Sequence, residues 1–237
     1  MTRLFALVPC AGSGQRAGTP LPKQYAPLAG RTVVAHTLDA LLAVARLHAV
    51  LVVVAPQDDR FARHAPRFSG ARAWLARCGG PTRAATVAAG LAELRARGAA
   101  DDDWVLVHDA ARCLLQPAWV DRLIDGCADD AVGGLLAQPL ADTLKQDDGD
   151  AAVVRVAGTT DRRGKWAAQT PQMFRLALLQ RALLAAGNAV TDESSAIEAL
   201  GLAPRLVRGE FENLKLTWPQ DFALAERLMG TRERRAE

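Results

Sequence analysis

Apolar residues fall along this chain in two alternating arrangements, short unbroken runs and longer stretches at helical spacing. Leu4 to Val8, stopped by Pro9, Ala49 to Ala55, Trp104 to Val107 and Val132 to Leu136 are continuous runs, as expected for strands covered on both faces of a parallel sheet. Ala71 to Ala76 is a weaker strand, broken by Cys78, Gly79, Gly80 and Pro81. Between the runs, VVAHTLDALLAVA follows Thr32 as a candidate N-cap, and a helix from Thr82 or Arg83 to Arg97 carries basic residues in its last turn. Pro117 is placed to open a helix through Ala128, and Arg175 to Ala186 is helical by periodicity. A short helix follows Thr191-Asp192-Glu193, with Ser195 and Glu198 spaced as a capping box. Asn213 to Thr217 reads as a brief strand, and Trp218 and Pro219 start a last helix through Met229. Alternating strands and helices predict one Rossmann-like α/β domain over residues 1–237, a mostly parallel sheet with helices on both faces.

The pattern changes from Gln138 to Gln172. The Asp147-Asp148-Gly149-Asp150 turn and the alternation through Ala152, Val154 and Val156 predict a β-hairpin arm, about residues 139–168, with too few apolar residues for a core of its own.

Candidate chemistry starts where the first strand ends. Cys10, Ala11, Gly12, Ser13 and Gly14 form a loop of small residues whose N–H groups suit phosphate oxygens, and Arg16 and Lys23 follow as cations that can flank a polyphosphate. A P-loop is excluded, because no Gly-Lys-Ser/Thr follows the glycines. Gly12, Gly14 and Ala17 match the dinucleotide pattern, but Pro20 and Pro22 forbid the helix it needs, and Ala55, Pro56 and Gln57 stand where a ribose-binding acid belongs. An ordinary glycine turn accounts for the glycines and leaves the following Pro-Lys-Gln unexplained.

The strand at Trp104 to Val107 runs into His108-Asp109-Ala110-Ala111-Arg112, which the topology puts beside the first loop, at the carboxyl ends of the strands. Asp109, expected at a solvent-accessible strand end, is a candidate Mg²⁺ ligand, and Arg112 a contact for a second anion. The plainer alternative is a structural Asp–Arg pair that ties a loop.

Composition narrows the class of protein without naming a reaction. Half of the residues are hydrophobic and the net charge is +3, which demands neither nucleic acid nor membrane, and the basic cluster at Arg232, Arg234 and Arg235 is expected to fray as a polar tail. Ala49 to Ala55 is far short of a membrane span, and a cleavable signal is not evident, so a cytoplasmic location is expected. Cysteines 10, 78, 113 and 127 have neither zinc nor disulfide spacing and read as buried thiols. His36 and His64 read as structural, and His48 lies in a turn.

CAGSGQR followed by PKQY resembles the Ala-Ala-Gly-x-Gly-x-Arg loop and Pro-Lys-Gln-Tyr of the 2-C-methyl-D-erythritol 4-phosphate cytidylyltransferases, with Cys10 in place of the usual Ala. The resemblance runs through residues 3–229 and implies nucleotidyl transfer from CTP to 2-C-methyl-D-erythritol 4-phosphate, with Mg²⁺ bridging the triphosphate. It implies that Arg16 and Lys23 stabilise the transition state and that Arg162 and Lys215 hold the acceptor phosphate. Asp109, Ala110, Arg112, Thr143 and Thr170 would bind that substrate, and the base would be read near Cys10, Ala11, Gly80 and Thr86. It also implies a homodimer joined by the arm. Pro81 stands where relatives usually have Asp, which removes an N–H and a carboxylate from the base site. A transferase of the same fold for another polyol phosphate, and a non-catalytic nucleotide-binding module, are the remaining alternatives.

Overall fold

A computed structural model describes residues 2–12, 21–149, 152–187 and 190–236. Strand β1 (Leu4–Pro9) leads to a single 3-10 turn at Lys23–Tyr25, then to a minimal hairpin of β2 (Pro27–Leu28) and β3 (Arg31–Thr32). Helix α1 (Val33–Leu42) follows, and Thr32 caps it by accepting from the Ala35 N–H. Next come β4 (Ala49–Val53), the one-turn helix α2 (Phe61–His64) and β5 (Ala73–Ala76). Helix α3 (Arg83–Ala96) is capped by Thr82, whose side chain accepts from the Ala85 N–H. Beyond it lie β6 (Trp104–Val107), α4 (Pro117–Cys127) with Pro117 in its first turn, and β7 (Gly133–Pro139).

The arm is a separate two-stranded sheet of β8 (Leu144–Asp147) and β9 (Val156–Thr160), paired antiparallel. Val153 and Val154 precede β9 instead of extending it, and together with Val156 they stand more than half exposed. The chain then returns through β10 (Trp166–Arg175), α5 (Leu176–Ala186), α6 (Glu193–Glu198), β11 (Arg205–Arg208) and α7 (Pro219–Ala236).

The seven-stranded sheet has the order β11-β7-β10-β6-β1-β4-β5. β1 pairs parallel to both β4 and β6, and β10 runs antiparallel between β6 and β7. Side chains of β1 alternate between two buried layers. Ala6 and Val8 face α1 and α4, whereas Phe5 and Leu7 face α3, α5 and α6. Gly90 lets α3 come close, since a Cβ there would stand 2.7 Å from Leu7 Cδ1 and 2.9 Å from Val53 Cγ2. Successive strands depart from β1 on opposite sides, so the crevice for a ligand opens beyond the carboxyl ends of β1 and β6.

Several expectations need correcting. Strand β10 starts at the end of the span read as an arm and runs on into the main sheet, and it gave no strand signal because Gln169, Thr170 and Gln172 are buried polar residues and Pro171 interrupts the run. Strand β11, with an arginine at each end, gave no strand signal of its own. Residues 213–217 form no strand. The capping box is Asp192 with Ser195: Asp192 accepts from the Ser195 N–H, and the Ser195 hydroxyl accepts from the Asp192 N–H. Helix α7 runs past Met229 to Ala236, because Arg232 donates to the Leu114 carbonyl at 2.8 Å and pairs with Glu212 at 2.6 Å.

Candidate active site

A cleft of about 410 Å³ lies over the carboxyl ends of β1 and β6, a size suited to a small-molecule ligand. Cys10, Ala11 and Gly12 form one wall, Lys23 and Gln24 a second, and Asp109, Ala110 and Lys215 a third, with the start of α3 completing it. Ser13, Gly14 and Arg16 lie outside the described residues. Thr143 and Arg162 are exposed on the arm and do not line the cleft of their own chain.

The Pro-Lys-Gln-Tyr segment has a clear mechanical role. Gln24, 6% exposed, donates from Nε2 to the Gly12 carbonyl at 2.8 Å and the Cys10 carbonyl at 3.2 Å, so it fastens the loop by its acceptors. Of the loop's N–H groups, that of Cys10 is spent on the Val53 carbonyl at 2.8 Å. Tyr25 donates to Asp58 at 2.7 Å and stacks on His64, which fixes the turn that presents Lys23. Lys23 Nζ in turn donates to the Leu216 carbonyl at 3.1 Å. Burial, with the Asp58 charge adding, pushes the Cys10 thiol up to about 12, so it stays protonated and is no nucleophile.

Asp109 is 8% exposed, not the solvent-accessible strand end expected of it. Its Oδ1 accepts from Arg83 Nε at 2.9 Å and its Oδ2 from Lys215 Nζ at 2.7 Å, with Arg112 Nε at 3.9 Å. Burial alone would raise its carboxyl, yet Arg83, then Lys215 and Arg112, hold it well below the usual carboxylate range. Asp109 is the only carboxylate among the described residues of the cleft wall, and both of its oxygens are engaged. Such a donor set does not make a cage; a divalent ion here would have to be held chiefly by substrate phosphates, with Asp109 the one protein carboxylate the wall could offer it.

Lys215 comes from an extended loop pinned at several points. Leu216 N–H donates to the Ala111 carbonyl at 2.9 Å, and Arg112 Nη1 donates to the Asn213 carbonyl at 2.6 Å. Asn213, fully buried, donates to the Thr170 carbonyl at 2.9 Å. Thr170 is therefore a scaffold for the Asp109 loop: its Oγ1 accepts from the Asp109 N–H at 3.0 Å and lies 3.1 Å from His108 Nδ1. His108 Nε2 lies 3.2 Å from the Arg112 carbonyl, an acceptor, so Nε2 carries the proton and Nδ1 accepts from the Thr170 hydroxyl. Burial holds His108 down to about 4, against the pull of Asp109.

The base-reading candidates also meet here. Thr86, 2% exposed, accepts from the Gly80 N–H at 3.2 Å and lies 2.9 Å from the Thr82 carbonyl as donor. Gly80 has Ala85 at its back, where a Cβ would stand 2.6 Å from the Ala85 Cβ, and Pro81 lines the cleft. Arg83, Gln24 and His108 were missed as functional positions by sequence reasoning. Arg83 looked like an ordinary first residue of a helix, and only its ion pairs reveal it; Gln24 could have been found from its place in the Pro-Lys-Gln-Tyr segment.

A family model described as "IspD: 2-C-methyl-D-erythritol 4-phosphate cytidylyltransferase" matches residues 4–231. A bifunctional IspD/IspF enzyme of Albidiferax ferrireducens is 57% identical over 97% of this chain, which spans only 54% of that relative's length. A 2-C-methyl-D-erythritol 4-phosphate cytidylyltransferase of Laribacter hongkongensis is 55% identical, with 97% of each chain covered. A crystal structure of a 4-diphosphocytidyl-2C-methyl-D-erythritol synthase superposes with a TM-score of 0.84 at 40% identity, covering 97% of this chain and 99% of the other.

Proposed function

Since this chain belongs to the 2-C-methyl-D-erythritol 4-phosphate cytidylyltransferase family, we propose that it joins CTP to 2-C-methyl-D-erythritol 4-phosphate, forming 4-diphosphocytidyl-2-C-methyl-D-erythritol and pyrophosphate. One phosphate oxygen of the acceptor attacks the α-phosphorus of CTP in line. The bond from that phosphorus to the bridging oxygen breaks, and pyrophosphate carries the electron pair away. The observation that carries this reading is the convergence of Lys23 and Lys215 on one cleft beside a loop of small residues. Two polyanions repel each other, so the protein's main tasks are to position them and offset their charge.

Lys23 meets the triphosphate, where negative charge grows as pyrophosphate departs, and Arg16 shares that task. Lys215, steadied by Asp109, meets the acceptor phosphate. Mg²⁺ accompanying the triphosphate would supply further charge neutralisation there. Cys10, Ala11, Gly80 and Thr86 supply a close-packed backbone surface for the base. Arg162 and Thr143 complete the acceptor site of a neighbouring subunit through the arm, whose exposed valines 153, 154 and 156 favour a homodimer. Among the described residues, no helix is long and apolar enough to cross a membrane, and we assign the activity to the cytoplasm. Pyrophosphate release with each of four nucleoside triphosphates, with and without methylerythritol phosphate, tests this reading. Release that requires CTP and the acceptor together supports it, whereas turnover of another polyol phosphate in preference would assign a different acceptor.

A further inference from the structure

Glu193 is 1% exposed and belongs to the first turn of α6, a segment whose sequence is explained by helix capping alone. Both of its oxygens are nevertheless aimed at the active site's edge. Oε1 accepts from Arg83 Nη1 at 2.6 Å and Oε2 from Arg83 Nη2 at 2.9 Å, so the fork is turned to Glu193 and Arg83 meets Asp109 Oδ1 through its Nε alone. Asp109 Oδ2 is then available to Lys215 Nζ at 2.7 Å. Glu193 itself does not line the cleft that holds Lys23 and Lys215. Its backbone is held firmly, since the neighbouring Ser194 N–H donates to Gln172 Oε1 at 2.7 Å and Gln172 Nε2 donates to Asp192 Oδ2 at 2.8 Å.

Building on the transfer reaction proposed above, we infer that Glu193 is a positioning residue: by holding the Arg83 fork it reserves one oxygen of Asp109 for Lys215, and so places the lysine that meets the acceptor phosphate. The physical basis is competition for one carboxylate. A guanidinium binds a carboxylate in two-pronged fashion more strongly than an ammonium binds it as a point charge. Without the Glu193 charge, the Arg83 side chain, 28% exposed, has only Asp109 left to pair with and gains by turning a second N–H toward it. Lys215, at 38% side-chain exposure, is the partner that can leave for water. Lys23 is anchored separately on the Leu216 carbonyl and keeps its place.

The test is Glu193→Gln in the full chain, with CTP and methylerythritol phosphate varied in turn. Lys215 reactivity toward an amine-reactive ester is followed in parallel by mass spectrometry. We expect kcat/KM for methylerythritol phosphate to fall about 10- to 100-fold, the usual cost of removing an outer partner that orients a site residue. KM for CTP stays within about twofold, since only binding at the acceptor side is disturbed. Lys215 labels several-fold faster than in the parent while Lys23 does not, and Glu193→Gln adds no further loss in a Lys215→Ala background. Equal losses toward both substrates, full additivity with Lys215→Ala, or unchanged Lys215 labelling would each overturn the inference. Should the Gln variant not fold, Glu193→Asp retains the charge while drawing it back, and it gives the same pattern at smaller size. If the parent itself fails to join CTP to methylerythritol phosphate, the transfer reading falls, and Lys215 labelling alone decides the role of Glu193.

Discussion

Acidification should weaken this fold through His108 in a pH window that no carboxylate with a depressed pKa shares. The imidazole is fully buried between Thr170 and Arg112, and burial lowers its pKa from 6.5 to about 4. Above 6.5 the ring is neutral in folded and unfolded chains alike, and it contributes no pH dependence. Between 6.5 and about 4 the unfolded chain binds a proton that the folded chain refuses, so stability falls as pH falls. Carried across the whole interval, at about 1.4 kcal/mol per pH unit, the loss is about 3 kcal/mol. Asp103, Asp109, Asp130 and Asp192 have lowered values, so their contributions persist above the ordinary carboxylate range and are lost only below it. Glu193, raised by burial, acts in the opposite direction, and comparison with a His108 variant cancels it. Urea unfolding followed by the fluorescence of buried Trp104 and Trp119, at intervals from pH 7.5 to about 4, gives the profile for parent and His108→Asn. The variant is expected to be less stable at pH 7 by about 1 to 3 kcal/mol, because it leaves the Arg112 carbonyl without its donor. Its profile is also flatter, by about 3 kcal/mol over the window. Parallel profiles would refute the account of a neutral, buried His108 fastening Thr170 and Arg112.

Three further predictions concern the cleft and the arm. Lys23→Ala should lower kcat about 10²- to 10³-fold, as loss of one preorganised charge does, while calorimetric CTP affinity changes far less; an unchanged kcat with only a raised KM would contradict its role. Asp109→Asn leaves Lys215 and Arg112 without their carboxylate partner, while Arg83 keeps Glu193, so it should cost about 3 kcal/mol of stability in urea melts and abolish most activity. A Mg²⁺ titration of its residual activity identical to the parent's would remove Asp109 from any metal role. For the arm, mixing inactive Arg162→Ala with inactive Lys23→Ala under subunit exchange should restore partial activity, whereas a monomer by sedimentation or no recovery despite exchange would reject a shared site.

The framework of the site was legible because parallel strands buried on both faces leave unmistakable apolar runs. Leu4 to Val8 and Trp104 to Val107 fixed where the crevice had to be, and Thr32, Thr82 and Pro117 announced the helices. What escaped was whatever the fold stabilises against local preference. Strand β10 is held by its neighbours β6 and β7 despite Pro171 and its buried glutamines. Residues 213–217 looked like a strand because leucines alternate there, yet Leu214 and Leu216 pack under α7 and the segment pairs with no strand. The links from Glu193 through Arg83 to Asp109 span 110 positions and then 26, which no spacing rule detects. Arg162 and Thr143 illustrate the converse. Resemblance singles them out, whereas the single chain holds them away from the cleft.

The claim that this cleft joins the phosphates of CTP and methylerythritol phosphate is tested most directly by phosphorus NMR of a reaction containing the full chain, CTP, methylerythritol phosphate and Mg²⁺. The account predicts loss of the γ, β and α triphosphate resonances together with the acceptor monophosphate signal. In their place should grow one pair of mutually coupled diphosphate doublets and an equal amount of pyrophosphate. Formation of CMP with the acceptor left intact, or no change beyond a reaction lacking the protein, would contradict it.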